Sequence, residues 1–389
     1  TQETPKWDVA KPGETFNYKT QNFTTSEGTW MNLDVSPDGN TIVFDMLGDI
    51  YSMPVSGGKA KVLRSGIPFE IQPRFSPDGK KIAFTSDAGG GDNLWVMNAD
   101  GSDAKQITKE DFRLMSNPAW MPDGNYLIGR KNFTSQRSAG AGEMWQYHIS
   151  GGSGVQLTKR KNDQQDVNEP NISRDGKYLY FSEDMYPGGY FQYNKDPNNQ
   201  IYVIKRYDTH TGEIETVTGG SGGAFRPQIS RDGKKLAFVR RVREQSVLFI
   251  RDVKSGEEWP IYAELSKDQQ EAWAIFGVYT NFNWMPGDKE VIIWAGGKLK
   301  RINTESLSVT EVPFDVDCNH KIMDALRFKQ IAAPDSFDVK LSRRYATKDE
   351  WCRQISQKAI IPALFYHYFG GDKQGVHGAT PFETLHQFL

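Results

Sequence analysis

Two cysteines, six histidines and no long apolar run are all this chain offers to three common modes of protein chemistry. Cys318 and Cys352 cannot build a disulfide framework or a cysteine-rich zinc site, and they leave open only one bridge or two free thiols. No window approaches the roughly 20 apolar residues of a membrane helix. The best stretch, 359–369, is short and broken by Pro362, so a soluble chain is expected. Charge of one sign is missing as well. Forty-seven Lys and Arg face 49 Asp and Glu, a net charge of -2, and no global field recommends nucleic acid or an anionic membrane as partner. The chain begins at Thr1 without an apolar leader, as expected of a mature exported protein or a trimmed one.

Glycine and aromatics, by contrast, are abundant. Thirty-seven glycines and 12% aromatic residues suit many short strands joined by tight turns better than a helical bundle. One pattern recurs six times: Ser36-Pro37-Asp38-Gly39, Ser76-Pro77-Asp78-Gly79, Met121-Pro122-Asp123-Gly124, Ser173-Arg174-Asp175-Gly176, Ser230-Arg231-Asp232-Gly233 and Met285-Pro286-Gly287-Asp288. The aspartates stand 40, 45, 52, 57 and 56 residues apart, the size of a four-stranded propeller blade with variable loops. Pro presets φ, Asp bonds backbone amides two residues on, and Gly takes positive φ without a steric cost, so each copy predicts a tight strand-to-strand turn.

An alternating apolar strand follows each turn, for example Lys81-Ile82-Ala83-Phe84 or Lys235-Leu236-Ala237-Phe238. A third strand, such as Asn93-Leu94-Trp95-Val96-Met97, and a short fourth, such as Lys105-Gln106-Ile107-Thr108, complete the unit. The prediction is all-β: a β-propeller of six or seven four-stranded blades over 30–341, with an N-terminal segment 1–29 and an atypical tail 342–389. Residues 16–20 alternate like a strand and are expected to complete the last blade by pairing the two chain ends.

Positions counted back from each turn sort into columns. Minus one and minus three are mostly apolar or Pro and read as core. Minus four holds Asn32, Gln72, Asn117, Glu169, Arg226 and Asn281, and minus two holds Asp34, Arg74, Ala119, Asn171, Gln228 and Asn283. In a propeller the innermost strand runs along the channel, so these polar columns should ring the axis. They are either a ligand-binding ring, with Asn32, Gln72, Arg74, Asn117, Glu169, Asn171, Arg226, Gln228, Asn281 and Asn283 as candidates, or a channel lined by water and side-chain hydrogen bonds.

The repeat Ser76-Pro77-Asp78-Gly79-Lys80-Lys81-Ile82-Ala83-Phe84-Thr85-Ser86, with Leu94-Trp95-Val96-Met97-Asn98-Ala99-Asp100-Gly101 after it, resembles the TolB-like propeller repeat over 30–312. The stretch 28–39, with Phe44-Asp45 and Gly48-Asp49-Ile50-Tyr51, resembles the N-terminal propeller of long exported bacterial proteins that end in a metal-dependent amidohydrolase. That resemblance implies a fragment of a longer protein, in a periplasmic or secreted setting. It transfers no catalytic residue, because the hydrolase's His-x-His motif is absent from His148, His210, His320, His367, His377 and His386. TolB-like propellers bind proteins, so the expected role is a noncatalytic module for a protein or peptide partner. The alternative is the substrate-gating part of a larger amidohydrolase or peptidase-like hydrolase.

Other motifs weigh less. Gly219-Gly220-Ser221-Gly222-Gly223 fits the nucleophile-elbow pattern, but a strand into a blade turn follows where a helix is required, so it reads as an inter-blade loop. Asp87 and Asp92 bracket three glycines and could take calcium, although a hairpin explains them as well and no cofactor is expected. In the long loop 183–199, Tyr186, Tyr190, Phe191 and Tyr193 read as a partner surface.

Overall fold

The computed structural model describes residues 18–111, 114–133, 141–162, 165–185, 196, 198–272 and 274–323. Among them there is no helix. Six antiparallel four-stranded sheets follow one another along the chain, spanning 33–64, 70–106, 115–156, 167–218, 225–262 and 283–312. Among the described residues these are six propeller blades, where the sequence left six or seven open. Each is a meander, and its first strand is the inner one: Leu33–Val35, Glu70–Phe75, Met115–Trp120, Val167–Ile172, Phe225–Ile229 and Asn283–Trp284.

The turns form as their residue types dictate. In blade 1 Gly39 N–H donates to Ser36 O at 2.9 Å with φ of 79°. Ser36 Oγ donates to Asp38 at 2.5 Å and accepts Thr41 N–H at 3.0 Å. The same Ser–Asp pairing recurs at Ser76, Ser173 and Ser230. These hydrogen bonds hold the Asp38, Asp78 and Asp175 carboxyls below their ordinary range. Where Met121 replaces Ser, Asp123 still accepts Asn125 N–H at 3.0 Å.

Between turns, alternate residues bury against the next blade. Ile82 and Phe84 of blade 2 pack with Val43 and Ile50 of blade 1, and Leu179 and Phe181 of blade 4 with Ile128 and Met144 of blade 3. Each such side chain stabilises the ring by about 1.5–3 kcal/mol.

Closure differs from expectation. The N-terminal strand Tyr18–Thr25 does pair with the last described strand, Phe314–Met323, in register from Tyr18 with Met323 to Thr25 with Val316. It does so in a separate three-stranded sheet, with Gly58–Lys59 on the far side, and not in the last blade. The reason is that blade 6 already owns four strands, its outer one being Val309–Val312. Blades 6 and 1 therefore meet face to face. A continuous apolar cluster that includes Met31, Leu33, Trp284, Ile292 and Phe314 seals the seam, and Asn281 O accepts Leu33 N–H at 3.1 Å.

Candidate functional site

The inner strands of blades 2 to 5 share a device. Gln72, Asn117, Glu169 and Arg226, all at minus four, have φ of 60°, 55°, 61° and 53°. The ladder register shifts beside each of them. Pro73, Pro118, Pro170 and Pro227 follow, and proline, lacking a donor, is tolerated in a sheet at such a bulge. Asn32 and Asn281 precede Leu33 and Phe282 instead, and neither adopts positive φ. Left-handed backbone costs of order 1 kcal/mol or more per residue, and it persists here because the surroundings over-determine it.

Those surroundings are the polar columns. All ten candidate ring residues lie on the inner strands or within two residues before them; eight engage one another from blade to blade, and Arg74 and Asn283 meet Asp34 instead. Gln72 Oε1 accepts Asn117 N–H at 2.8 Å, and Glu169 Oε2 accepts Arg226 N–H at 2.5 Å. Asn32 Oδ1 accepts Asn281 N–H at 2.9 Å, closing the circle. At minus two, Asn171 donates to Gln228 at 2.8 Å, Gln228 donates to Asn281 at 2.9 Å, and Asn283 donates to Asp34. Asp45, on the second strand of blade 1, accepts Gln72 N–H at 2.7 Å and both the N–H and the amide of Asn32 at 2.8 Å. Burial pushes its carboxyl up to about 7, against these hydrogen bonds.

The minus-four end is plugged by a segment whose role the sequence did not reveal. Before the inner strand of blade 6, residues 274–279 cross the blades. Ala274 O and Ile275 O accept the Asn168 amide at 2.8 and 3.1 Å, and Phe276 O accepts the Gln72 amide at 2.7 Å. Glu169 Oε1 accepts Val278 N–H at 2.6 Å, and Arg226 Nε donates to Tyr279 O at 2.8 Å. Gly277 sits at φ of 115°, where any Cβ would collide with the Arg226 guanidinium. Burial lowers the Arg226 pKa to about 10, with Glu169 opposing the shift.

The opposite end is open. Residues from all six blades surround a cavity of about 240 Å³ at the face that carries the repeat turns. Of the ten ring candidates it exposes Arg74, Asn171 and Asn283, with Asp34 beside them and Trp120, Ile172 and Ile229 as apolar wall. The Trp120 indole is fixed by donation to Arg74 O at 3.0 Å. Two further cations, Arg174 and Arg231, stand at its rim. A groove of about 460 Å³ between blades 4 and 5 runs into it, sharing Ser173, Arg174, Ile229 and Arg231 and continuing over Tyr178, Tyr180 and Arg206. Arg174 and Arg231 were visible in the sequence only as the two turns where Arg replaces Pro.

The remaining candidates are scattered. Gly219 to Gly223 lie in the loop joining blades 4 and 5, and strand Phe225–Ile229 follows, with Ser221 Oγ donating to Asn198 O at 2.7 Å. Asp87 and Asp92 flank a hairpin in blade 2, and Asp87 accepts Phe69 N–H at 2.8 Å. No group of three or more His, Cys, Asp and Glu that could hold a metal occurs among the described residues. Cys318 is a free, buried thiol. Tyr186, Tyr190, Phe191, Tyr193 and the tail 342–389 lie outside the described residues.

Residues 17–188 match the TolB beta propeller domain family. The chain is 28% identical over 179 residues to the uncharacterized peptidase YuxL of Bacillus subtilis, covering 44% of this chain and 22% of that protein. It is 33% identical over 92 residues to tricorn protease homolog 1 of Streptomyces coelicolor, covering 23% of this chain and 8% of that protein. The chain thus spans under a quarter of either relative's length. Among solved structures, TolB from Acinetobacter baumannii superimposes with a TM-score of 0.53 at 18% identity, over 74% of this chain and 65% of that one. A putative TolB from Agrobacterium tumefaciens does so with 0.51 at 17% identity, over 70% and 96%. The repeat, the six meander blades and these likenesses agree: this chain carries a TolB-like β-propeller.

Proposed function

We propose that this propeller is a noncatalytic module that binds an extended segment of a protein or peptide partner on its turn face. One observation carries the reading: the axial cavity is open at that face, runs into a groove between blades 4 and 5, and is closed at the other end by residues 274–279. A cavity and groove of about 240 and 460 Å³ fall near the usual size of ligand sites, roughly 300–1,000 Å³. Fixed aromatics along the route, Trp120 and Tyr180, are the residue types that anchor peptides. A periplasmic or secreted setting belongs to the same reading and rests on the TolB-like resemblance alone.

The test is selection from a phage-displayed peptide library on the full chain, repeated on a Trp120→Ala/Tyr180→Ala variant checked for its fold by circular dichroism. Sequences enriched on the native protein and lost on the variant support the reading. Enrichment that ignores the variant moves the binding site elsewhere.

A second reading is favoured by the names of the two relatives, both peptidases. In it the propeller is the substrate-gating portion of a larger peptidase-like hydrolase or of an amidohydrolase. The DNA beyond codon 389 tests this: a hydrolase reading frame fused in phase supports it, and an unrelated context removes it.

A further inference from the structure

We infer that the turn-face cavity recognises the C-terminal end of a polypeptide, with its free carboxylate held between Arg174 and Arg231. This rests on the peptide-binding reading above and makes it specific.

The first ground is a surplus of positive charge, which Asp34 and the Asp288 carboxylate beside Arg231 offset only in part. The cavity is lined by three guanidinium groups, Arg74, Arg174 and Arg231, and by one carboxylate, Asp34. Asp34 is already engaged by Phe75 N–H at 2.7 Å and by the Asn283 amide, and Arg74 Nε stands 4.0 Å from it. Arg231 gives its guanidinium protons only to the carbonyls of Pro37 and Ser36, at 2.7 and 3.4 Å. Arg174 is exposed and makes no hydrogen bond or ion pair among the described residues. The groove's own acids are spoken for: Asp175 and Asp232 accept Ser173 Oγ and Ser230 Oγ and a backbone amide within their turns.

The second ground is that the turns do not need these arginines. Four of the six repeats place Pro there, the better residue for the turn because its φ is preset. Blades 4 and 5, which flank the groove, give that up and set two cations at its junction with the cavity. Arg231 is held in place from its backbone side, where its N–H donates to Asp288 at 2.9 Å.

The third ground is shape. Beneath the cavity lie the minus-two side chains, bonded from Asn171 through Gln228 to Asn281 and from Asn283 to Asp34, and beyond them residues 274–279, so a chain entering from the groove cannot continue down the axis. A chain end fits this blind axis better than a segment threading it. Of the two ends, an ammonium is repelled, whereas a carboxylate matches the planar fork of guanidinium. The terminal side chain would then face Trp120, Ile172 and Ile229.

The experiment uses paired arrays of random hexapeptides, identical except that one set ends in a free carboxylate and the other in a carboxamide, probed with the full chain. Hits are resynthesised in both forms and titrated in solution against native protein and an Arg174→Gln/Arg231→Gln variant, with inorganic phosphate as competitor. The inference predicts that amidation weakens binding by about tenfold or more, and that the variant loses the same factor and no longer distinguishes the forms. Equal affinity for acid and amide overturns the carboxylate claim and leaves peptide binding standing. Displacement by phosphate at the same concentration as by peptide reduces the site to a simple anion site and overturns it too. No binding by either array rejects both the inference and the peptide-binding reading.

Discussion

Glu169 of blade 4 and Arg226 of blade 5 occupy the same repeat position in consecutive blades, both in left-handed backbone, and form a buried ion pair with Oε1 3.3 Å from Nε. The pair ties blade to blade and both to the plug, since Glu169 also accepts Val278 N–H and Arg226 donates to Tyr279 O. Removing one partner strands a buried charge. Glu169→Gln is expected to cost about 3–5 kcal/mol in urea unfolding, and adding Arg226→Met to recover part of it.

Gly277 predicts the fate of the plug. Its φ of 115° and the guanidinium beside it leave no room for a methyl group. Gly277→Ala should destabilise by more than about 1 kcal/mol, and hydrogen exchange should quicken first over 274–279.

Asn281 predicts the seam. Its amide donates to Leu33 O at 2.7 Å, its N–H to Asn32, and its Oδ1 accepts Gln228. Asn281→Ala leaves buried partners unsatisfied, at about 1–3 kcal/mol. Because blades 6 and 1 share no strand, exchange should rise selectively along their interface.

Stability should have a defined pH profile. Burial raises Asp45 to about 7 and Asp49 and Asp92 to about 6, so in the folded state these groups keep protons that the unfolded chain releases near 3.8. Their contribution is full below about pH 4 and lost as pH rises through 6 and 7. The turn carboxyls Asp38, Asp78 and Asp175 are lowered and act oppositely, losing their contribution as pH falls below the ordinary carboxylate range. The urea midpoint should therefore peak on the acidic side of neutrality and fall towards pH 8, and Asp45→Asn should flatten that fall.

The blades were legible because each Ser-Pro-Asp-Gly turn uses local chemistry: Asp38 bonds within five residues of itself, and no distant contact is needed to predict it. The polar columns were legible for the same reason, as a fixed offset from the turn. What the columns do was not. Gln72, Asn117, Glu169 and Arg226 enter left-handed backbone because neighbouring blades hold them there, and the Pro after each marks a bulge that the sequence presented only as a core position. The plug is equally non-local, since Phe276 meets Gln72 across 204 residues. The exchange of Pro for Arg at 174 and 231 was in plain view, but only the ring brings those two turns to one cavity.

The central claim, that ligand enters at the turn face, is tested most directly by hydrogen–deuterium exchange of the full chain with and without a selected peptide. The account predicts protection at the turns 173–176 and 230–233 and no change over 274–279. Protection confined to 274–279, or to the aromatic loop 186–193, with the turns unaffected would contradict it.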